Sequence, residues 1–311
     1  MAKKLTSLEL CAGAGGQALG LEMAGFEHVA LVEIDKDASA TLRLNRPNCN
    51  TLNLDLKAFD ASGFEGVDLV AGGVPCPPFS KAGKQLGAED ERNLFDEAIR
   101  IVREAKPRAV MLENVRGLLD DCFADYRAHI LSQLHALGYE AEWKLLNASD
   151  FGVPQLRPRA ILVAVRKDLW KKFAWPEETP CRKTVGEILG DLMAAEGWTG
   201  SKAWAGKANA IAPTLVGGSK KHGGPDLGPT RARKAWVALG VDGSGVADEP
   251  PAKDFEGMPK LTTRMAARLQ GFPDEWSFWG RKTTTYRQIG NAFPPPVARA
   301  VGLAIAKALK E

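Results

Sequence analysis

The sequence predicts an α/β protein whose first half folds as a mostly parallel, doubly wound sheet. Short apolar runs of strand length alternate with stretches in which apolar residues recur every three or four positions. A glycine cluster directly follows the first apolar run. After about residue 175, glycine, proline and basic residues become frequent. That change predicts a second, smaller and irregular domain.

The apolar runs and the periodic stretches follow one another in the order expected of strands and helices. The predicted strands are Leu5–Leu10, His28–Ile34, Val67–Gly72, Ala109–Leu112 and Ala160–Val165. The predicted helices are Gln17–Ala24, Lys36–Asn45, Asn93–Ala105, Tyr126–Leu137 and, near the carboxyl end, Pro296–Lys310. Strands separated by helices predict a parallel sheet with both faces covered.

The composition excludes several classes of protein. The chain of 311 residues has 41 Lys and Arg against 38 Asp and Glu, which excludes a polycationic coat protein and an acidic disordered chain. Its five cysteines are widely spaced and form no Cys-x-x-Cys pair, which disfavours a disulfide framework and a structural zinc site. No apolar run is long enough to span a membrane. We therefore expect a soluble, cytoplasmic protein that needs no metal.

The glycine cluster Gly13–Gly16 lies where a predicted strand turns into a helix, and such turns bring backbone amides close to a ligand. Glu33 ends the next strand, where a carboxylate can accept both hydroxyls of a ribose, and Asp55 is placed to accept an exocyclic amine. These residues indicate an adenosine-containing ligand. The turn alone also fits a nicotinamide dinucleotide, or no ligand at all.

A single cysteine stands among prolines in Pro75-Cys76-Pro77-Pro78, just after a predicted strand. The loop at the carboxyl end of such a strand faces the ligand crevice, and the prolines restrict the position of the thiol. This favours a nucleophile over a small buried apolar cysteine. Glu113 and Asn114 end another predicted strand at the same rim. Glu113 is a candidate general acid beside the thiol, and the alternative is that the two residues cap the following helix.

Basic side chains occur in two further places. Gln155, Arg157 and Arg159 alternate into a predicted strand and should share one face, which favours a carbonyl-rich or anionic ligand over a surface ion-pair cluster. Residues 201–236 contain seven Lys and Arg, one acid and many glycines. They read as ligand-facing loops or as a solvated insertion.

In this order, the motifs resemble those of the DNA (cytosine-5)-methyltransferases over roughly 1–175 and 258–311. The matching motifs are the Gly13–Gly16 turn, Glu33, Asp55, Pro75-Cys76, Glu113-Asn114-Val115, Gln155-x-Arg157-x-Arg159 and Arg287-Gln288-Ile289-Gly290-Asn291. The resemblance implies the fold of S-adenosylmethionine-dependent methyltransferases, with that molecule as cofactor. It also implies that residues 1–176 and 281–311 form the catalytic domain and that residues 177–280 form the target-recognition domain.

The resemblance implies five catalytic residues, which are Cys76, Glu113, Asn114, Arg157 and Arg159. Cys76 adds to carbon 6 of a cytosine flipped out of duplex DNA, Glu113 protonates nitrogen 3, Arg159 binds the carbonyl at carbon 2 and Arg157 supports the loop. The implied cofactor-binding residues are Cys11, Gly13, Ala14, Gly16, Glu33, Ile34, Asp55, Leu56, Gly73, Pro75 and Asn291. The implied DNA-binding residues are Ser80, Gln155, Lys220, Lys221, Arg231 and Arg233.

The chain departs from the family pattern in the cofactor site and after the cysteine. Cys11 and Ile34 stand where aromatic side chains often stack on the adenine, and Pro77 replaces a glutamine. We expect double-stranded DNA as the substrate and a restriction endonuclease with the same target as a partner. We also expect a monomer in a prokaryotic cytoplasm, associated with the nucleoid. The alternatives are a tRNA cytosine-5 methyltransferase of the same fold, a nicotinamide-dependent oxidoreductase and a DNA-binding protein with an inactive site.

Overall fold

The computed structural model describes residues 4–75, 94–217 and 226–310. The chain divides into two compact units. Unit 1 comprises Met1–Leu146, Pro158–Glu177 and Ala298–Glu311, and unit 2 comprises Asn147–Arg157 and Glu178–Val297. Residues 147–157 and 281–297, which the sequence analysis grouped with the catalytic domain, thus belong to unit 2. The roles assigned to the two domains stay a prediction.

Unit 1 contains a seven-stranded sheet in the order β3-β2-β1-β4-β5-β7-β6. The strands are β1 (Leu5–Leu10), β2 (Phe26–Val32), β3 (Thr51–Leu52), β4 (Leu69–Gly72), β5 (Ala109–Val115), β6 (Tyr139–Asn147) and β7 (Pro158–Arg166). β1 pairs in parallel with β2 and β4, β4 pairs in parallel with β5, and β7 runs antiparallel to β5. The predicted mostly parallel sheet is confirmed. The sequence analysis missed β3, which has only two residues, and β6, in which charged residues interrupt the apolar run.

Five helices accompany the sheet. They are α1 (Gly16–Met23), α2 (Lys36–Asn45), α3 (Phe95–Ala105), α4 (Ala124–Ala136) and the terminal α10 (Pro295–Lys310), most of which belongs to unit 1. The Asp35 carboxylate caps α2 by accepting the backbone N–H groups of Asp37 and Ala38. Leu8, Leu10 and other buried strand residues form the main apolar core of the unit.

Unit 2 contains helices both outside and inside residues 201–236, the segment in which the sequence predicted ligand-facing loops. Its helices are α5 (Val185–Ala194), α6 (Ser201–Lys207), α7 (Thr230–Ala238), α8 (Thr263–Leu269) and α9 (Lys282–Asn291). Trp204 in α6 and Trp236 in α7 are buried, although both lie in the basic segment 201–236. Tryptophan burial therefore gives part of that segment a packed core, which its glycine and charge content did not indicate.

The described ranges contain neither a membrane-spanning helix nor a cluster of metal-ligating side chains. No helix there is long and apolar enough to cross a membrane. The same residues contain no group of three or more His, Cys, Asp or Glu side chains that could hold a metal ion.

The first strand carries a buried carboxyl group. Glu9 is fully buried, and neither of its carboxyl oxygens has a hydrogen-bond partner among the residues that the structure describes. Burial, and to a lesser extent the charge of Glu22, raises the pKa of Glu9 from 4.5 to about 8. Glu9 is thus protonated at neutral pH in the folded protein.

We predict that the stability of the Glu9→Gln variant relative to wild type increases as the pH rises. The folded protein keeps this proton between pH 4.5 and about 8, whereas the unfolded chain releases it, so stability falls with rising pH in that window. The urea midpoints of wild type and variant, measured from pH 5 to 8, should therefore diverge in favour of the variant. Glu177→Gln, which removes an exposed carboxyl group, is the control. Parallel curves for wild type and Glu9→Gln would contradict the assignment.

Candidate active site

The centre of the site is an ion pair between two adjacent strands of unit 1. In the antiparallel pairing of β5 and β7, Val115 lies opposite Arg159 and Glu113 opposite Ile161. Glu113 and Arg159 are therefore diagonal neighbours on one face. The Nε atom of Arg159 lies 2.7 Å from Oε1 of Glu113, and their side chains are only 13% and 11% exposed.

The ion pair is poorly solvated. Burial lowers the pKa of the Arg159 guanidinium, while the charge of Glu113 and the hydrogen bond to it act in the opposite direction. Arg159 also donates a hydrogen bond from Nη1 to the carbonyl of Pro158. Removing either partner would leave a buried, uncompensated charge. The pair thus presents a carboxyl group and a guanidinium side by side in fixed orientation.

The loop after β4 lies beside the carboxyl group of Glu113. The Asn114 side chain donates a hydrogen bond of 2.9 Å to the carbonyl of Val74 and accepts one from the N–H of Val115. A Cβ atom on Gly73 would lie 3.3 Å from Oε2 of Glu113, so the absence of a side chain there gives room for the carboxyl group. Asn114 therefore positions the backbone of the loop at Val74.

The glycine turn after β1 is fixed by Glu33. Its carboxylate accepts the backbone N–H groups of Gly13 and Asp35, both at 2.7 Å. The turn has left-handed backbone at Cys11, Gly13 and Gly15, with φ of 50°, 55° and 86°. No atom lies within 4 Å of the point where a Cβ of Gly13 would be, so the space above the turn is open.

The surroundings of the turn suit an adenosine-like ligand. Burial raises the pKa of Glu33, whereas its backbone hydrogen bonds lower it. Burial, Glu33 and Asp55 all raise the pKa of the Cys11 thiol, which therefore stays neutral. Ile34 is 63% exposed, which is unusual for such an apolar side chain and suits a platform for a flat ring. Asp55 is exposed, and Leu56 is buried.

In unit 2, Arg157 is 1% exposed and joins three backbone segments. Its guanidinium donates hydrogen bonds to the carbonyls of Leu215, at 2.7 Å, Gly290, at 2.7 Å, and Ala292, at 3.1 Å. It thus ties the backbone at Leu215 to the backbone at residues 290–292. Because β7 begins at Pro158, Arg157 does not share a strand face with Arg159.

Gln155 has an internal role in place of the predicted contact with DNA. It is fully buried, and its side-chain amide donates hydrogen bonds to the Leu269 carbonyl and Gln270 Oε1 and accepts one from the N–H of Leu215. Gln270 in turn donates to the carbonyl of Ala292. The sequence analysis missed Gln270, because no recognisable motif distinguishes a buried glutamine from an exposed one.

Other predicted residues are placed as follows. Arg231 and Arg233 lie in α7, and Asn291 ends α9, where a Cβ atom on Gly217 would lie 2.6 Å from its side-chain oxygen. Ala14 and Gly16 are part of the glycine turn in unit 1. The residues that lie outside the described ranges are Cys76, Pro77, Ser80, Lys220 and Lys221.

Comparison with known proteins agrees with this arrangement. The family model for the C-5 cytosine-specific DNA methylase matches residues 5–307. The chain belongs to this family.

Curated relatives of the methyltransferase include two Type II methyltransferases that share more than half of its residues. It is 59% identical over 313 residues to the Type II methyltransferase M.NaeI of Lentzea aerocolonigenes, covering 99% of this chain and 76% of the relative. It is 57% identical over 314 residues to the Type II methyltransferase M.NgoMIV of Neisseria gonorrhoeae, covering 99% of each chain. The chain is therefore a DNA (cytosine-5) methyltransferase, and neither of the alternative activities, tRNA methylation or hydride transfer, is favoured.

Solved structures share the fold of the methyltransferase. The Entamoeba histolytica methyltransferase EhMeth matches with a TM-score of 0.71 at 15% identity, over 99% of this chain and 100% of that one. The DNMT2 of Spodoptera frugiperda matches with a TM-score of 0.67 at 19% identity, over 98% and 99% of the chains. The predicted fold of S-adenosylmethionine-dependent methyltransferases is confirmed.

We predict that Arg157→Lys destabilises the methyltransferase by about 2–4 kcal/mol, because a lysine ammonium cannot reach all three carbonyls and charge-assisted hydrogen bonds are lost. The free energy of unfolding from urea titration measures the effect. Arg166→Lys in β7, at an exposed arginine, is the matched control and should change stability by less than about 0.5 kcal/mol. Equal stability of the two variants would refute the supporting role of Arg157.

Proposed function

We propose that this methyltransferase modifies carbon 5 of a cytosine everted from a specific duplex DNA sequence, as the modification enzyme of a restriction-modification system. Its similarity to two Type II methyltransferases supports the biological setting. The buried pair of Glu113 and Arg159 carries the chemical part of the proposal, because it offers a proton donor and a carbonyl ligand to one edge of one ring.

Carbon 5 of cytosine is too weak a nucleophile to accept a methyl group unaided. The Cys76 thiolate forms a bond to carbon 6, and the electron pair of the carbon 5–carbon 6 double bond moves towards nitrogen 3, which takes a proton from Glu113 in its protonated form. The carboxylate that remains is the partner of Arg159 in the ion pair. Arg159 holds the carbonyl oxygen at carbon 2, where negative charge also develops. Carbon 5 would then displace the methyl group from the sulfonium sulfur of the bound cofactor, and the electron pair of the sulfur–carbon bond would stay on sulfur. Loss of the carbon 5 proton to water would restore the double bond between carbons 5 and 6 and expel the thiolate, while nitrogen 3 would return its proton to Glu113. The target must leave the helix, since a thiol reaches carbon 6 only from the face of the ring.

The open turn at Gly13 fits S-adenosylmethionine, which supplies the activated methyl group when bound. Glu33 lies at the rim of the turn and retains free carboxylate lone pairs for the ribose hydroxyls. Ile34 faces the adenine, Asp55 accepts its amino group, and Cys11 fills the remaining side with a neutral thiol. The other proposed contacts to the cofactor, all in unit 1, are Ala14, Gly16, Leu56, Gly73 and Pro75.

The DNA-binding part of the proposal concerns the basic segment 201–236. Lysine and arginine side chains there neutralise phosphates and contact base edges in the major groove, with Ser80 as a further contact. We also propose that the enzyme acts as a monomer in a prokaryotic cytoplasm, close to the nucleoid, alongside an endonuclease with the same target sequence.

The covalent step predicts a trapped complex. A duplex with 5-fluorocytosine at the target position should form a stable adduct with the enzyme in the presence of S-adenosylmethionine, because fluorine cannot leave as the carbon 5 proton does. Intact mass spectrometry measures it. Cys122→Ser, at an exposed cysteine of unit 1, should form the adduct like wild type, and Cys76→Ser should not. Active enzyme without any mass-shifted complex would exclude the covalent mechanism.

Protonation by Glu113 predicts a selective loss of turnover. Glu113→Gln should lower kcat at least about 100-fold while the Kd for DNA changes little, because the amide has no acidic proton to transfer. Methyl incorporation and fluorescence anisotropy measure the two quantities. Glu177→Gln is the matched control. Wild-type turnover of Glu113→Gln would disprove the role.

A further inference from the structure

Helix α7 carries positive charge that the fold itself does not neutralise. Arg231, Arg233 and Lys234 lie within its nine residues, which include no acidic residue. None of the three has an ion-pair or hydrogen-bond partner in the parts of the chain that the structure describes. Unpaired cations concentrated on one helix fit a polyanionic partner, and duplex DNA is the substrate of this family.

The three cations differ in how firmly they are held. Arg231 and Lys234 are exposed, whereas Arg233 is partly buried. A Cβ atom on Gly243 would lie 3.2 Å from Cγ and 3.4 Å from Cα of Arg233, so the arginine stem lies directly on the glycine backbone. The stem of Arg233 is therefore restricted, while its guanidinium has no hydrogen-bond acceptor among the residues that the structure describes. That combination suits a positioned hydrogen-bond donor.

Arg233 lines a groove that also contains an acceptor. The groove, with a cavity of about 320 Å³, lies between α7 and residues 242–244 and includes Asp242 and Ser244. The Asp242 carboxylate accepts the N–H of Ser244 at 2.9 Å and lies 3.7 Å from the Lys260 ammonium. These contacts hold the pKa of Asp242 below its ordinary value, so the carboxylate is charged.

The Asp242 carboxylate favours a base edge over a backbone phosphate as the part of DNA that occupies the groove. A backbone phosphate in the groove would meet the negative charge of Asp242. The major-groove edge of a G·C pair instead presents two acceptors, guanine O6 and N7, beside a donor, the cytosine amino group. That pattern complements the guanidinium of Arg233 and the carboxylate of Asp242. An A·T pair offers the arginine no comparable pair of adjacent acceptors on one base.

We propose that the groove beside α7 reads one G·C pair of the target sequence, with Arg233 donating to guanine and Asp242 accepting from cytosine. Arg231, which is exposed and does not line the groove, contacts a phosphate and carries no sequence information. Lys234 lines the groove, but it is exposed and its ammonium group contacts a phosphate at the groove's edge. This inference rests on the proposed function and assigns specificity to named residues of unit 2.

The test begins with the target sequence of the wild-type enzyme, obtained by bisulfite sequencing of DNA from cells that express it. A set of duplexes is then made in which each base pair outside the methylated one is replaced in turn. Methylation rates on this set are measured for wild type, Arg233→Lys, Arg233→Ala, Gly243→Ala, and the control variants Arg231→Ala and Lys234→Ala.

Both Arg233 variants should lose discrimination at one G·C position by about tenfold or more and keep it elsewhere. Arg233→Lys keeps the charge but loses the planar fork of donors, so it separates base contact from phosphate contact. Gly243→Ala, which displaces the arginine stem, should weaken discrimination at the same position. Arg231→Ala and Lys234→Ala should weaken binding to all duplexes alike and reduce the slope of log Kd against log salt by about one.

Two outcomes would overturn the inference. One is an Arg233→Lys enzyme with the discrimination of wild type at every position, and the other is an Arg233→Ala enzyme weakened equally on all duplexes. Far-UV circular dichroism and the rate on the cognate duplex confirm that each variant is folded. Wild-type enzyme that methylates no cytosine in DNA would refute the proposed function itself, which is a distinguishable result.

Discussion

The antiparallel direction of one strand in an otherwise parallel sheet sets the geometry of the candidate site. Because β7 runs opposite to β5, its first residues lie beside the last residues of β5. The carboxyl ends of parallel strands form the ligand-binding edge of such sheets. Arg159 can reach Glu113 at that edge only with this strand direction, and the pair is then desolvated by its surroundings. A parallel β7 would place its first residues at the opposite edge.

The two arginines of the Arg157-x-Arg159 motif have different kinds of hydrogen-bond partner. Arg159 belongs to unit 1 and is paired with a carboxylate, whereas Arg157 belongs to unit 2 and donates from Nη1 and Nη2 to backbone carbonyls. A buried guanidinium needs several acceptors, and each site supplies them in its own way. The boundary between the units falls between Arg157 and Pro158. A single short motif thus supplies a carboxylate-paired guanidinium to unit 1 on one side of the boundary and a backbone support to unit 2 on the other.

Burial of polar groups recurs around the proposed cofactor site. Glu33 is nearly buried, yet its charge is stabilised by backbone N–H groups of Gly13 and Asp35. Glu9, on the strand before the turn, lacks such donors among the described residues and holds a proton instead. Burial raises the pKa of both glutamates, and only at Glu33 do backbone N–H groups act in the opposite direction. Sequence spacing alone does not distinguish them.

The sequence by itself determined the sheet class, most strands of unit 1 and the residues of the ion pair, because apolar periodicity and ordered motifs are local features of the chain. Tertiary structure alone decided the internal role of Gln155, its partner Gln270 and the helical core around Trp204 and Trp236. It also decided which arginine of α7 is held in a groove. These features depend on contacts between residues far apart in sequence, and burial of a polar or aromatic side chain is set by such contacts and not by its neighbours in the chain.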